Sequence, residues 1–161
     1  MTLPYRKSPR MPGMDYSRSG AFFITFSTYK SEEILGSIDP VSSQMILSPR
    51  GQIVYDSILA LSDGHLGVTV RKFVVMPNHC HLLIFIRRHA ESGTPANELI
   101  PRFVSTLKRI ANHKCGYNLW HRSYHDHFVR SKDDYLRISD YIDNNPSRWA
   151  QDQFHPSRFN Q

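Results

Sequence analysis

Val68-Thr-Val-Arg-Lys-Phe-Val-Val-Met76, Pro77-Asn78, and His79-Cys-His-Leu-Leu-Ile-Phe-Ile-Arg87 form the stretch whose reading decides the fold. Two β-branched and aromatic runs flank a Pro-Asn pair, which reads as two strands joined by a tight turn. Within the second run, side chains two apart share a face of the strand. His79 and His81 are therefore placed to grip one metal ion, while Cys80 points the other way and reads as a small core residue.

Outward from this pair, the pattern continues in both directions. Gly20-Ala-Phe-Phe-Ile-Thr-Phe-Ser-Thr28 reads as a first strand. Ser48-Pro49 opens a helix, with Ser48 as N-cap and Ile53, Val54, Ile58 and Leu61 along one side, ending before Ser62-Asp-Gly. A second helix is expected from about Ile100, on the spacing of Phe103, Val104, Leu107, Ile110 and Ala111. Ser123 to Arg130 reads as another strand. A last helix starts near Ser131, with Asp133 and Asp134 in its first turn, and ends near Pro146. The order strand, helix, strand, strand, helix, strand, helix is that of a ferredoxin-like (RRM-like) α+β fold. It carries an antiparallel sheet, helices on one face and one extra C-terminal helix.

The chain has 161 residues, enough for one domain with a hydrophobic core but too few for an eight-fold α/β barrel. We expect a basic N-terminal arm over 1–19 and a single domain over 20–161. The sequence contains no run apolar enough to cross a membrane, no secretory leader and no CxxC pair around Cys80 or Cys115, which fits a cytoplasmic protein. The net charge of +6 points to an anionic partner. It concentrates in two places, the lead-in to the first strand and residues 101–132. Arg6, Lys7 and Arg10 in the arm, and Arg102, Lys108, Arg109 and Lys114 on the second helix, together with Arg122, are the candidate contacts to a phosphate backbone. Trp120 and Tyr124 are candidates either to stack on a base or to fill the core.

Asp140-Tyr-Ile-Asp-Asn-Asn-Pro146 closes the last helix. Tyr141 and Asn145, four apart, share a face. The amide oxygen of Asn145 is a hard ligand suited to Mg²⁺ or Mn²⁺, and a phenol beside a metal suits attack on a phosphodiester. Tyr135, on the same helix, competes with Tyr141. His125-Asp-His127 repeats the spacing of the first histidine pair, and spacing alone does not rank one pair above the other.

Met76-Pro-Asn-His-Cys-His-Leu-Leu83 resembles the HUH motif of single-tyrosine transposases of bacterial insertion sequences. Leu119 to Arg130, Tyr141 to Trp149 and Arg10 to Thr25 are similar to one branch in particular, the REP-associated tyrosine transposases. The resemblance covers most of the chain. It implies that His79 and His81 are the HUH metal ligands, that Asn145 is the amide ligand, and that Tyr141 is the nucleophile. It places His125 and His127 on the strand before the catalytic helix, outside the main metal site. The middle position, usually bulky and apolar, is Cys80 here.

The activity so implied is metal-dependent cleavage and rejoining of single-stranded DNA through a covalent 5′-phosphotyrosine. The cofactor would be Mg²⁺ or Mn²⁺ and the substrate a hairpin of the repetitive extragenic palindrome type. A monomer is expected, with a homodimer as the alternative. Two other readings share these residues: a hydrolytic nuclease, in which water attacks, and a noncatalytic nucleic-acid-binding module of RRM-like layout.

Overall fold

The computed structural model describes residues 20–64, 66–86 and 96–156. The 1–19 arm, with Arg6, Lys7 and Arg10, lies outside the described residues. Among the described residues, six strands and three α-helices follow in the order β1 (Gly20–Ser27), β2 (Gly36–Ile38), β3 (Met45–Leu47), α1 (Pro49–Ala60), β4 (Val68–Val75), β5 (His79–Ile86), α2 (Ala96–Cys115), β6 (His125–Phe128) and α3 (Lys132–Asn144). A 3₁₀ turn over Pro146–Gln151 follows α3.

Four strands make one antiparallel sheet in the order β4-β5-β1-β6, the ferredoxin-like arrangement expected from the sequence. β2 and β3 form a separate small hairpin that the sequence reading did not anticipate. Strand alternation divides the sheet into two faces. Phe22, Ile24 and Phe26 of β1 and Cys80, Leu82, Ile84 and Ile86 of β5 point to one face. There they pack with Val54 and Ile58 of α1 and Phe103, Val104, Leu107 and Ala111 of α2. Each large side chain fully buried there contributes about 1.5–3 kcal/mol. The opposite face carries a smaller cluster, in which Ile138 and Ile142 of α3 meet Leu83, with Phe23, Val74 and Tyr135 at its edge. α1 and α2 thus cover one face and α3 covers the other.

The helix starts follow local chemistry. Ser48 Oγ accepts the Gly51 N–H at 3.0 Å, and Ser131 Oγ accepts the Asp134 N–H at 3.1 Å. Gly51 is required where it stands, because a Cβ there would come within 1.9 Å of the Leu35 carbonyl oxygen. α2 begins at Ala96, before the expected Ile100, and keeps Pro101 inside it. β6 is shorter than expected, since only His125–Phe128 pair with β1.

β4 departs from simple alternation. Val70 pairs with Ile84 and Lys72 with Leu83, leaving Arg71 as an extra residue. Such a bulge inverts the phase of the strand. Val68 and Val70 face the main core before it, Phe73 and Val75 face that core after it, and Lys72 and Val74 turn to the α3 face.

Candidate metal and tyrosine site

His79 and His81 project from β5 onto the α3 face, and both are buried, at 0% and 1% exposure. Their Nε2 atoms lie 3.1 Å apart. The outer nitrogen of each ring is held. His79 Nδ1 lies 2.8 Å from Asn78 Oδ1, and His81 Nδ1 lies 2.7 Å from Thr25 Oγ1, the residue paired with it on β1. The amide nitrogen of Asn78 donates to the carbonyls of Ser31, at 3.1 Å, and Phe154, at 2.7 Å. Its oxygen is therefore the atom facing His79, and His79 Nδ1 must carry the proton. The Nε2 of His79 is left with a lone pair aimed at His81.

A hydrogen bond between the two Nε2 atoms then needs the proton on His81, with the Thr25 hydroxyl donating to its Nδ1. Thr25 can equally accept, so turning that hydroxyl frees both Nε2 lone pairs towards a common point. Outer hydrogen bonds of this kind orient imidazole ligands for a metal. Burial lowers the pKa of His79 well below its usual value, assisted by His81 and opposed by Asn145. Burial alone brings His81 down to about 3. Both rings are neutral at pH 7, the form that binds metal.

Two further groups complete the cluster. Asp152, just past the 3₁₀ turn, brings Oδ2 to 3.7 Å from His79 Nε2. Its other oxygen, Oδ1, accepts the Phe154 N–H at 2.8 Å. His79, His81 and Asp152 are the group of buried ligand atoms among the described residues that could hold a metal ion. Asn145 is 2% exposed, and its side-chain oxygen has no hydrogen-bond partner. A buried acceptor with no donor is costly unless something else binds it. The donor set of two neutral imidazoles, one carboxylate and one orphaned amide oxygen fits a divalent cation.

Asn145 keeps helical angles (φ −59°, ψ −45°) despite preceding Pro146, so its four-residue relation to Tyr141 survives. Tyr141 stands edge-on to His81, with ring centroids 5.2 Å apart, and to Phe23 at 6.0 Å. Its phenol pKa is raised, first by burial and then by the Asp152 charge, with the Asn145 amide working the other way. Phe154 stacks on His79 at 4.3 Å and stands edge-on to His81 at 6.2 Å.

The structure brings His79, His81, Tyr141 and Asn145 together and adds Asp152 and Asn78, which sequence reasoning missed. Asn78 read as a turn residue, and Asp152 lies in a C-terminal segment without periodicity. The hydrogen-bonding potential of the Asn in Pro-Asn-His was the one available signal. His127 Nε2 lies 2.9 Å from Asp134 Oδ2, and neither His125 nor His127 joins the ligand group. Tyr135 packs beside Ile138 and Ile142. Trp120, edge-on to Phe26 at 5.0 Å, and Tyr124 both belong to the main core.

The candidate backbone contacts are placed differently. Arg102, Arg109 and Lys114 are exposed on α2, in the layer behind the sheet from His79 and His81, and Arg122 is exposed between α2 and β6. Lys108 turns inward instead. Its ammonium donates to the carbonyls of His121, at 2.9 Å, and Ser123, at 3.2 Å, and burial lowers its pKa to about 8. Among the described residues no helix is long and apolar enough to cross a membrane.

A solved structure of a REP-associated tyrosine transposase bound to a REP hairpin superposes with a TM-score of 0.58, at 20% identity, over 80% of this chain and 67% of that one. The two chains share a fold. A candidate transposase of Deinococcus radiodurans is 22% identical over 83% of this chain and 96% of its own, with a TM-score of 0.44, too low to carry an argument. An uncharacterised protein of Haemophilus influenzae is 28% identical over 95% of this chain and 94% of its own. No family profile matches the chain.

Proposed function

We propose that this protein cleaves and rejoins single-stranded DNA with Tyr141 as nucleophile, at hairpins of the REP type. The observation that carries the reading is the convergence of Tyr141 and the orphaned Asn145 oxygen, from one helix face, on the His79–His81 pair. The transposase that shares the fold is bound to a REP hairpin, which supports DNA as the partner. All of these side chains come from one chain, in keeping with a monomer.

His79 Nε2, His81 Nε2, the Asp152 carboxylate and Asn145 Oδ1 would hold the ion, Mg²⁺ or Mn²⁺. A divalent cation there supplies positive charge that polarises a scissile phosphate and offsets the Asp152 charge opposing ionisation of Tyr141. The protein does the rest. Phe23 and His81 hold the tyrosine ring from two sides. Tyr141 loses its proton to water, and its oxygen forms the bond to phosphorus. The bond to the 3′-oxygen breaks, and that oxygen takes up a proton to leave a 3′-hydroxyl. The 5′-phosphotyrosine retains the bond energy, so a second 3′-hydroxyl can reverse the step and join a new strand.

Labelled hairpin DNA incubated with Mn²⁺ and resolved on a denaturing gel tests this. The wild-type chain should give a protein-linked DNA band, and Tyr141→Phe should give none. Cleavage without an adduct in both proteins would establish hydrolysis by water. Binding without cleavage in both would establish a noncatalytic module.

A further inference from the structure

α3 carries Tyr141, yet only Ile138 and Ile142 are buried along it, and Leu136 is 49% exposed. Apolar packing is non-directional. Ile138 and Ile142, with Tyr135 at the edge of their cluster, set how close the helix lies to the sheet, but such apolar contacts constrain its rotation less than directional ones do. That rotation decides where the phenol sits. A Cα lies ~2.3 Å from the helix axis and a tyrosine hydroxyl about 6 Å further out, so a turn of about 10° carries that oxygen roughly 1.4 Å. A displacement of about 1 Å at reacting atoms lowers a rate on the order of 100-fold.

Two polar contacts, one from each edge strand, supply the missing direction. On β4, Lys72 Nζ donates to Ser139 Oγ and to Asp143 Oδ2, both at 2.7 Å. These residues stand two before and two after Tyr141. On β6, the Asp134 carboxylate receives His127 Nε2 at 2.9 Å, the Arg130 N–H at 3.2 Å and the Arg137 guanidinium. A carboxylate only accepts, so His127 is the donor. Lys72 reaches α3 because the extra residue Arg71 inverts the phase of β4. In unbroken alternation, position 72 would face the main core with Val70. Arg71 lays its guanidinium 5.3 Å over the ring of Phe85. The bulge thus aims a cation at the tyrosine helix.

We infer that Lys72 and His127 are positioning residues that fix the rotation of α3 and so hold Tyr141 over His81. This rests on Tyr141 being the nucleophile. The pins act at opposite ends of the helix and from opposite edges of the sheet, so together they resist rotation as well as sliding. Neither touches the metal cluster.

Single-turnover adduct formation by the full chain, at saturating hairpin DNA and Mn²⁺, tests the inference. Lys72→Met and His127→Leu should each slow the adduct at least tenfold. Affinities for Mn²⁺ and for the hairpin should stay within twofold of wild type. Asp143→Asn should slow the reaction in the same sense, and it bypasses any folding defect of Lys72→Met because the Asp143 side chain is 56% exposed. The exchange Lys72→Asp with Asp143→Lys should recover most of the rate lost in Lys72→Met, which a merely structural role would not produce. Unchanged rates in Lys72→Met and Asp143→Asn would overturn the inference. So would a rate loss matched by an equal loss of Mn²⁺ affinity, which would mean collapse of the whole site.

A 3-fluorotyrosine at position 141 gives a readout without catalysis. Its fluorine resonance should be sharp in the wild type and shifted or broadened in Lys72→Met and Asp143→Asn. An unaltered resonance in both variants overturns the clamp. An altered resonance with no adduct in any protein supports the clamp and overturns the transferase reading instead.

Discussion

Asn78 and Phe154 are joined by a 2.7 Å hydrogen bond from the Asn78 amide to the Phe154 carbonyl, and the same amide holds His79 Nδ1 at 2.8 Å. One buried side chain therefore orients a candidate metal ligand and docks the segment that carries another, Asp152. Asn78→Ala should weaken Mn²⁺ binding by about 10–100-fold, as loss of an outer-shell partner does. It should also lower stability by about 1–3 kcal/mol for each buried group left unpaired. Asn78→Asp keeps an acceptor for His79 but sets carboxylate oxygen against the Phe154 and Ser31 carbonyls. Calorimetry with Mn²⁺ and limited proteolysis should show the C-terminal segment released in this variant.

Asp152→Asn keeps the shape of the side chain and removes its charge. If the carboxylate is a ligand, Mn²⁺ affinity should fall at least tenfold with little loss of chelator-treated stability. Asn145→Ala should cost less affinity, because a neutral amide is the weaker partner of a hard cation. In the metal-free protein it removes a buried oxygen that has no donor but also the amide's hydrogen bonds to Tyr141 and Asp152, so stability there should change by no more than about 1.5 kcal/mol. Calorimetry and urea unfolding in the presence of a chelator check both.

The His127–Asp134 contact gives a pH signature. Burial of Asp134 works against ionisation, but the His127 hydrogen bond, Arg137 and the Arg130 N–H outweigh it and bring its pKa from 3.8 to about 2. The folded value lies below the unfolded one, so the unfolded chain binds more protons across that window. The stability involved is present above the unfolded value and is lost as pH falls through the folded value. Urea midpoints measured from pH 5 to 2.5 should fall less steeply in Asp134→Asn than in the wild type. The difference should be no more than about 2 kcal/mol.

Lys108 separates stability from DNA binding. Its ammonium is engaged by the His121 and Ser123 carbonyls. Lys108→Met should lower stability by about 1–3 kcal/mol. It should leave the salt dependence of hairpin binding unchanged. A slope reduced by about one unit would instead make Lys108 a phosphate contact.

How much of this was legible follows from the range of the interactions. β1, α1 with its Ser48 cap, the β4–β5 pair and α3 with its Ser131 cap are written in local periodicity and capping chemistry, and they stand where the sequence puts them. The β2–β3 hairpin was not legible, because three-residue strands are too short to show alternation. α2 starts earlier than read because the apolar spacing that marks it runs from Phe103 onward, whereas its first turn, with Pro101 close behind, carries no such pattern. The bulge at Arg71 hid the face of Lys72, since a phase inversion is invisible to any pattern of period two. His79, His81, Tyr141 and Asn145 were legible through spacing. Asp152 was not, because its proximity to His79 arises only when the chain beyond Pro146 folds back onto Asn78.

The alternation of β5 has one last consequence. Cys80, Leu82, Ile84 and Ile86 fill the larger core while His79 and His81 stand on the reverse face. The structural and chemical halves of the strand are in antiphase. Slipping β5 by a single residue would drive two imidazoles into hydrocarbon and strand four apolar side chains among the polar groups around Asp152. No misregistered protein can therefore be stable with its centre merely spoiled: pairing the strand correctly and assembling the centre are one event. A deletion in the Pro77–Asn78 turn should yield aggregates, not an inert but folded protein.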